Sequence, residues 1–282
     1  MITNTQPSLS PRPFLKWAGG KSQLIPQYLP YFPTYQNYYE PFVGGGAIFF
    51  HLQPERSFLI DINIELVNVY RCVRDQLEEL VAKLEEHRER HSPEHYYQVR
   101  SQLSTSDDWF FQGNDLDRAA RLIYLNKTCF NGLYRENSKG HFNVPIGSYK
   151  NPSIYDPEAL EAASIALRSS RIEYGSFDMV LQYAKSADDF VYFDPPYYPI
   201  SKTSSFTAYN RYSFDEDKQV LLRDVFAQLS DRGVKVMLSN SDCPFVRDLY
   251  QDFNIHTIYA TRNINSNPEK RGKITEVLVT SY

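Results

Sequence analysis

An apolar run that ends in an acid, two prolines and an aromatic, Phe190-Val191-Tyr192-Phe193-Asp194-Pro195-Pro196-Tyr197, is the segment best suited to chemistry. Two prolines directly after a strand stop its pairing and stiffen the backbone, so the Asp194 carboxylate and Pro195 carbonyl project from the strand's carboxyl end. Ligands of α/β sheets bind at such ends. A carbonyl and a carboxylate beside an aromatic face match an exocyclic amine on a planar base. The two oxygens accept its N–H groups while Tyr197 stacks on the ring. The plainer alternative is a capped strand end followed by a turn.

Upstream, Tyr39-Glu40-Pro41-Phe42-Val43-Gly44-Gly45-Gly46 followed by AIFFHL has the order strand, glycine loop, helix, which lets a cofactor approach the backbone. It is not the dinucleotide fingerprint, because Phe49 stands where a third Gly or Ala is required. The next strand ends at Asp61, a carboxylate placed to accept from ribose hydroxyls or, alternatively, to cap a helix. In Phe14-Leu15-Lys16-Trp17-Ala18-Gly19-Gly20-Lys21-Ser22 the ending imitates a phosphate loop, but the first glycine falls at Leu15 and no strand precedes it. Trp17 and Lys21 suit an aromatic wall and a cation for an amino-acid carboxylate; a packed Trp and a surface Lys are the alternative.

These residues need a scaffold. Strands are expected at Tyr38 to Phe42, Ser57 to Ile60, Arg171 to Tyr174, Phe190 to Phe193, Val234 to Leu238, Phe253 to Ala260 and Thr275 to Ser281. Helical patterns at Ser22 to Tyr28, Ala47 to Leu52, Ser213 to Leu229 and Pro244 to Tyr250 alternate with several of them, which predicts an α/β fold with a mostly parallel sheet. The last two strands lack an intervening helix and are expected as an antiparallel hairpin. Between Asp61 and Arg171 the strand rhythm gives way to helical periods at Ile64 to Glu89, Pro93 to Leu103 and Leu116 to Asn126. A hairpin-like NGLYRENSKGHFNVPIGSYKNP follows. The expected division is therefore a domain formed by residues 1–61 and 170–282, with an insert at 62–169.

Composition sets bounds. The 282 residues are 42% hydrophobic and 23% charged, with no apolar run near the roughly 18 residues of a membrane span. The polar opening MITNTQPSLSPR lacks the apolar core of a secretory signal, and Cys72, Cys129 and Cys243 are too dispersed for a C-x-x-C pair; a reduced, cytoplasmic setting is expected. The net charge of −4 argues against a uniformly basic surface, yet residues 75–94, with seven acids and three bases, account for all of it. Residues 126–150 and 262–273 each carry +3, enough to touch phosphates.

Taken in order, FLKWAGGK, YYEPFVGGG, the acid of SFLIDIN, NGLYRENSKGHFNVP, FVYFDPPYY, FTAYNRYSF, VMLSNSD and RNINSNPEKRG closely resemble the Dam-type N6-adenine DNA methyltransferases of the alpha class, from about residue 12 to the C-terminus. In GSYKNP, Ser148 departs from the basic residue common in relatives.

The resemblance implies a Rossmann-like methyltransferase sheet and a target-recognition insert. It implies S-adenosyl-L-methionine as donor, no metal, and double-stranded DNA as partner, with the adenine of GATC as acceptor. Trp17, Lys21, Asp61 and Asp194 would hold the donor, with Phe42, Gly44 and Gly46 beneath it; Lys21 would take the methionyl end, Asp61 the ribose and Asp178 the donor's adenine amine. Asp194, Pro195, Pro196 and Tyr197 would form the catalytic segment, acting on a base flipped out of the duplex. Arg135 would read guanine, helped by Asn137 and Lys139, with Leu133 and Pro145 at base-contacting positions. A cognate restriction nuclease, without a stable complex, would be a functional partner. The competing readings are a non-catalytic DNA-binding subunit and a methyltransferase of RNA or of protein glutamine.

Overall fold

The structure, a computed structural model, describes residues 10–102, 114–137, 140–200, 214–261 and 273–282. Lys139, most of FTAYNRYSF and the basic RNINSNPEKRG lie outside these residues. The strands are β1 (Asn37–Glu40), β2 (Ser57–Asp61), β3 (Ser170–Tyr174), β4 (Asp189–Phe193), β5 (Lys235–Ser241), β6 (Asn254–Thr261) and β7 (Lys273–Thr280). The α-helices are α1 (Ile25–Tyr28), α2 (Ala47–Leu52), α3 (Ile64–Asp75), α4 (Leu77–Glu89), α5 (Pro93–Ser101), α6 (Asp115–Thr128), α7 (Pro157–Leu167), α8 (Glu216–Asp231) and α9 (Pro244–Leu249). Two compact units result: one gathers residues 1–20, 44–53 and 63–172, the other 21–43, 54–62 and 173–282.

The second unit carries the sheet except for the first three residues of β3, and the strand order is β3-β2-β1-β4-β5-β7-β6. β1 runs parallel to β2 and β4, and β4 parallel to β5, whereas β7 is antiparallel to both β5 and β6. The terminal hairpin therefore forms as expected, with β7 threaded between β5 and β6. Parallel strands are covered on both faces, which is why Phe190, Val191, Tyr192 and Phe193 are all fully buried and read as one apolar run. The core of this unit joins Phe193, Leu238 and Val279 from the sheet to Leu222, Phe226 and Leu229 of α8 and to Val246 of α9. On β6, the last strand in the order, the Gln27 side chain bonds both the N–H and the C=O of Tyr259, at 3.0 and 2.8 Å, and so occupies backbone groups that would otherwise invite another strand.

β1 has β2 on one side and β4 on the other, so the order reverses between β1 and β4. In a doubly wound sheet that reversal opens a crevice at the carboxyl ends of the strands. The segments leaving those ends are Pro41 to Val43 after β1 and Asp194 to Tyr197 after β4.

The other unit is helical. Asn63 caps α3 by accepting from the N–H groups of Glu65 and Leu66, and Ser92 and Asn114 cap α5 and α6 in the same way. Arg121, buried on α6, donates to the carbonyls of Val99 and Arg100 at 2.9 and 3.0 Å, tying α5 to α6. The single helix expected over Ile64 to Glu89 is broken at Gln76, whose φ and ψ are −141° and 44°. Gln76 still bonds Cys72 O through its N–H and Leu80 N through its carbonyl, so the periodicity runs on across the break. Helix α7 was not expected, although Asp156 caps it and Pro157 opens it.

Among the described residues the expected hairpin is present as two isolated antiparallel bridges, Cys129 with Ile146 and Glu136 with Phe142, in place of a continuous ladder. Two features interrupt it. Pro145 has no N–H to donate, and Asn131 and Gly132 take positive φ of 57° and 64°.

Candidate active site

In the sheet unit, the register of β4 with β5 pairs Phe193 with Leu238, so Asp194, the first residue past β4, comes beside Ser239, which is still within β5. Asp194 Oδ1 accepts from Lys21 Nζ at 2.8 Å and from Ser239 Oγ at 3.0 Å. The Tyr192 hydroxyl lies 3.0 Å from Ser239 Oγ. Burial raises the Asp194 pKa above the ordinary carboxylate range, and the Lys21 charge, its hydrogen bond and the Ser239 hydrogen bond oppose the rise.

Tyr197 is anchored from the far strand: its hydroxyl donates to Glu276 Oε2 at 2.7 Å, and Lys21 Nζ lies 4.7 Å from the centre of its ring. One face of the Tyr197 ring thus carries a cation. The backbone between the prolines and Tyr198 is held by buried amides. Gln219 donates to the Pro196 carbonyl at 3.0 Å, Asn240 donates to Gln219 at 3.0 Å, and Asn240 Oδ1 accepts from Tyr198 N at 3.1 Å. The acceptor used is the carbonyl of Pro196, not that of Pro195.

Two further carboxylates stand in this unit. Asp61 ends β2, its side chain half-buried, while its carbonyl accepts from Gly175 N. Asp178 is exposed and follows Phe177, whose ring stacks on Phe42 at 5.3 Å and 22°. Phe42 also meets Phe193 and Phe214 edge-on.

In the helical unit the glycine loop is shaped by aromatic neighbours. Gly44 and Gly46 have φ of +47° and +67°, and a Cβ would lie 2.9 Å from Trp17 Cδ1 at position 44 and 2.7 Å from the Tyr70 hydroxyl at position 46. Tyr70 donates to Gly44 O at 3.0 Å, and Trp17 stacks on Tyr134 at 5.2 Å and 26°. In the hairpin segment, Arg135 Nε donates to Asn143 Oδ1 at 2.7 Å, and Asn137 Oδ1 accepts from His141 N at 3.0 Å. Pro145 is exposed and Leu133 half-buried.

Of the residues singled out in the sequence, the structure brings Lys21, Asp194 and Tyr197 into contact. Lys21, expected at the amino-acid end of a donor, rests on the Asp194 carboxylate. Ser239, Tyr192 and Glu276 were not singled out. The signal for Ser239 was the switch from apolar VML to polar SNS at a strand's carboxyl end; Glu276 gave none. Among the described residues no group of three or more His, Cys, Asp or Glu could hold a metal ion, and no helix is long and apolar enough to cross a membrane.

A doubly wound sheet whose reversal point presents an acid, two prolines and an anchored tyrosine has the arrangement expected of an enzyme that works on an amine of a planar base. The chain belongs to the D12 class N6 adenine-specific DNA methyltransferases, whose sequence profile matches residues 17–264. It is 47% identical over 274 residues to the Type II methyltransferase M1.LlaDCHI of Lactococcus lactis subsp. cremoris, covering 96% of this chain and 95% of that one. To the Type II methyltransferase M.MjaIII of Methanocaldococcus jannaschii it is 43% identical over 293 residues, covering 96% and 99%. To the DNA adenine methylase of Escherichia coli K12 it is 38% identical over 274 residues, covering 95% and 94%. The protein is a site-specific, adenine-specific DNA methyltransferase.

Proposed function

We propose that this enzyme methylates N6 of an adenine flipped out of the duplex palindrome GATC, with S-adenosyl-L-methionine as donor and Asp194 as the group that orients the amine. The observation that carries the catalytic part is the loading of Asp194. Lys21 and Ser239 both donate to Oδ1, which leaves Oδ2 without a donor among the described residues.

The donor set fits this cofactor. Asp61, half-buried at the end of β2, has the acceptor chemistry for a ribose diol, and Phe42 and Phe177 offer apolar faces beside the exposed Asp178, which is suited to an adenine amine. Lys21 has the charge for the methionyl carboxylate. The resemblance adds Trp17, Gly44 and Gly46 to this set. When bound, the donor supplies a methyl group on an activated sulfonium.

The protein's task is positioning, because the adenine amine is a weak nucleophile whose lone pair is delocalised into the ring. Asp194 Oδ2 and the Pro195 carbonyl draw the two N–H groups and localise the lone pair on the line of attack. Tyr197, held by Glu276, stacks on the extruded base with the face that Lys21 does not cover. The lone pair forms the N–CH3 bond as the S–CH3 bond breaks, leaving a neutral thioether; the positive charge passes to the amine, whose extra proton leaves through Asp194 Oδ2 to solvent and restores neutrality.

The insert at 62–169 is the target-recognition domain in this reading, and residues 1–61 with 170–282 form the catalytic domain. Arg135 reads guanine, with Leu133, Asn137, Lys139 and Pro145 beside it on the DNA. The resemblance of NGLYRENSKGHFNVP carries the GATC assignment. The Type II names of two relatives support a role beside a cognate restriction nuclease. The test is to sequence modified adenines in DNA from cells expressing the chain or its Asp194→Ala variant. The reading expects N6-methyladenine at GATC with the first and none with the second. Methylation at a different motif refutes the site; methylation by the variant at more than about a tenth of the normal rate, roughly 1.4 kcal/mol of barrier, refutes the role of Asp194.

A further inference from the structure

We infer that Ser239, backed by Tyr192, is a positioning residue for catalysis: it fixes Asp194 as an ionised carboxylate with Oδ2 left to receive the target amine. This rests on the reading of Asp194 given above.

The direction of the hydrogen bonds follows from proton counting. An ionised carboxylate only accepts, so Ser239 must give its single proton to Asp194 Oδ1 across the 3.0 Å contact. Its oxygen is then the acceptor in the 3.0 Å contact with the Tyr192 hydroxyl, which must donate. Ser239 is fully buried, as is Tyr192, so no water competes for either contact. The chain Tyr192 to Ser239 to Asp194 is thus directed one way as long as Asp194 is charged, and it reverses only if the carboxyl takes up a proton.

The surroundings make this donor matter. The groups facing Asp194 are Lys21 from the segment before α1, Tyr28 from α1, Tyr38 from β1, Tyr192 and Tyr197 from β4 and the segment after it, and Ser239 from β5, with Glu276 of β7 behind Tyr28 and Tyr197. Lys21 is the one cation of this set. Glu276 is engaged by Tyr197, and burial holds the tyrosines neutral by raising their pKa values. Burial also pushes the Asp194 pKa up, against Lys21 and Ser239. Lys21 is a point charge on an unbranched stem, which neutralises the carboxylate but imposes little on its orientation. Ser239 is held on a strand, with its hydroxyl within reach of one carboxylate oxygen, and so determines how the carboxylate plane is set.

The experiment measures single-turnover methylation against pH for the wild type, Ser239→Ala, Ser239→Thr and Tyr192→Phe. Donor affinity and melting temperature are measured alongside. In donor-free enzyme the Asp194 carboxyl is titrated by NMR of 13C-labelled aspartate, its signal assigned with Asp194→Asn. Ser239→Ala is expected to slow methyl transfer on the order of tenfold or more, to move the acid limb of the rate and the carboxyl titration to higher pH, and to leave donor affinity within about twofold. Tyr192→Phe should shift both in the same direction by less, and Ser239→Thr should restore them. An unshifted acid limb and carboxyl titration in Ser239→Ala overturn the inference, as does a loss confined to donor affinity. Retention of activity by Asp194→Ala instead overturns the underlying reading, so the two failures are distinct.

Discussion

Replacing Lys21 by Met keeps the aliphatic stem and removes the charge. The Lys21 side chain is 5% exposed and Asp194 20%, and their contact is 2.8 Å. Removing one partner of a buried ion pair costs about 3 to 5 kcal/mol. The low end applies, because Ser239 still donates to Asp194 and the carboxyl can neutralise itself by taking a proton. A loss of about 3 kcal/mol corresponds to a fall of roughly 6 to 12 °C in melting temperature for a protein of this size. The pH dependence has a definite sign. Without Lys21 the Asp194 pKa, already raised by burial, rises further above its unfolded value. The folded variant then binds a proton that the unfolded chain does not, so the deficit relative to the wild type is full above the raised pKa and shrinks as pH falls toward about 4. Thermal melts followed by circular dichroism at pH 8 and pH 5 read this directly, and calorimetry of donor binding should show affinity reduced about tenfold or more. Equal melting deficits at the two pH values would mean that only packing was lost and would refute the electrostatic argument.

In the helical unit, His87 Nδ1 lies 3.0 Å from His95 Nε2, and burial, then His95 and Arg90, push the His87 pKa down to about 4. Its contribution to stability is complete above about pH 6.5 and is lost as pH falls toward 4; His87→Phe should flatten that acid limb in urea melts, and an unchanged limb assigns it to other groups. Gly44→Ala places a Cβ 2.9 Å from Trp17 Cδ1 at a φ of +47°, so it should destabilise by roughly 1 to 3 kcal/mol, red-shift tryptophan emission and weaken donor binding. Wild-type melting and donor affinity would show that the loop tolerates a side chain. Arg135→Ala should cost about 1 to 3 kcal/mol on the cognate site and relax discrimination at one base pair, whereas Lys139→Ala should weaken all duplexes alike and lower the salt slope by about one. Rates on single-base-substituted duplexes at two salt concentrations separate the two, and equal slowing of every duplex by Arg135→Ala would make it a backbone contact.

Strand positions were legible because most of the strands are buried on both faces and read as apolar runs with polar punctuation. Phe190 to Phe193 is the clearest, and its acid marks where the site begins. The break at Gln76 was illegible because one residue leaves helical geometry while hydrogen bonds bridge it. Helix α7 is illegible for a different reason. Its signature, an acid then a proline before EALEAASIAL, lies directly behind a Gly- and Asn-rich stretch that reads as continuing loop. In the hairpin, Pro145 and the positive φ at Asn131 and Gly132 limit a ladder that turn residues alone would predict.

The partners of the candidate site were hidden for a reason of topology. Local sequence shows that Asp194 and Tyr197 end a strand, but which groups face them depends on the neighbours of that strand, and sheet order is a property of the whole chain. β5 lies beside β4 and brings Ser239 to Asp194 across 45 residues. β7 lies beside β5 because the terminal hairpin folds back into the sheet, and its register sets Glu276 opposite Ser241, from where it reaches Tyr197 across 79 residues. A hairpin added outside β6 would have put Glu276 at the edge and left the tyrosine without its anchor. The antiparallel strand, apparent in the sequence only as a missing helix, therefore has a structural task at the candidate site: it supplies the carboxylate that holds the Tyr197 hydroxyl, while the parallel strand beside it supplies the hydroxyl that bonds Asp194.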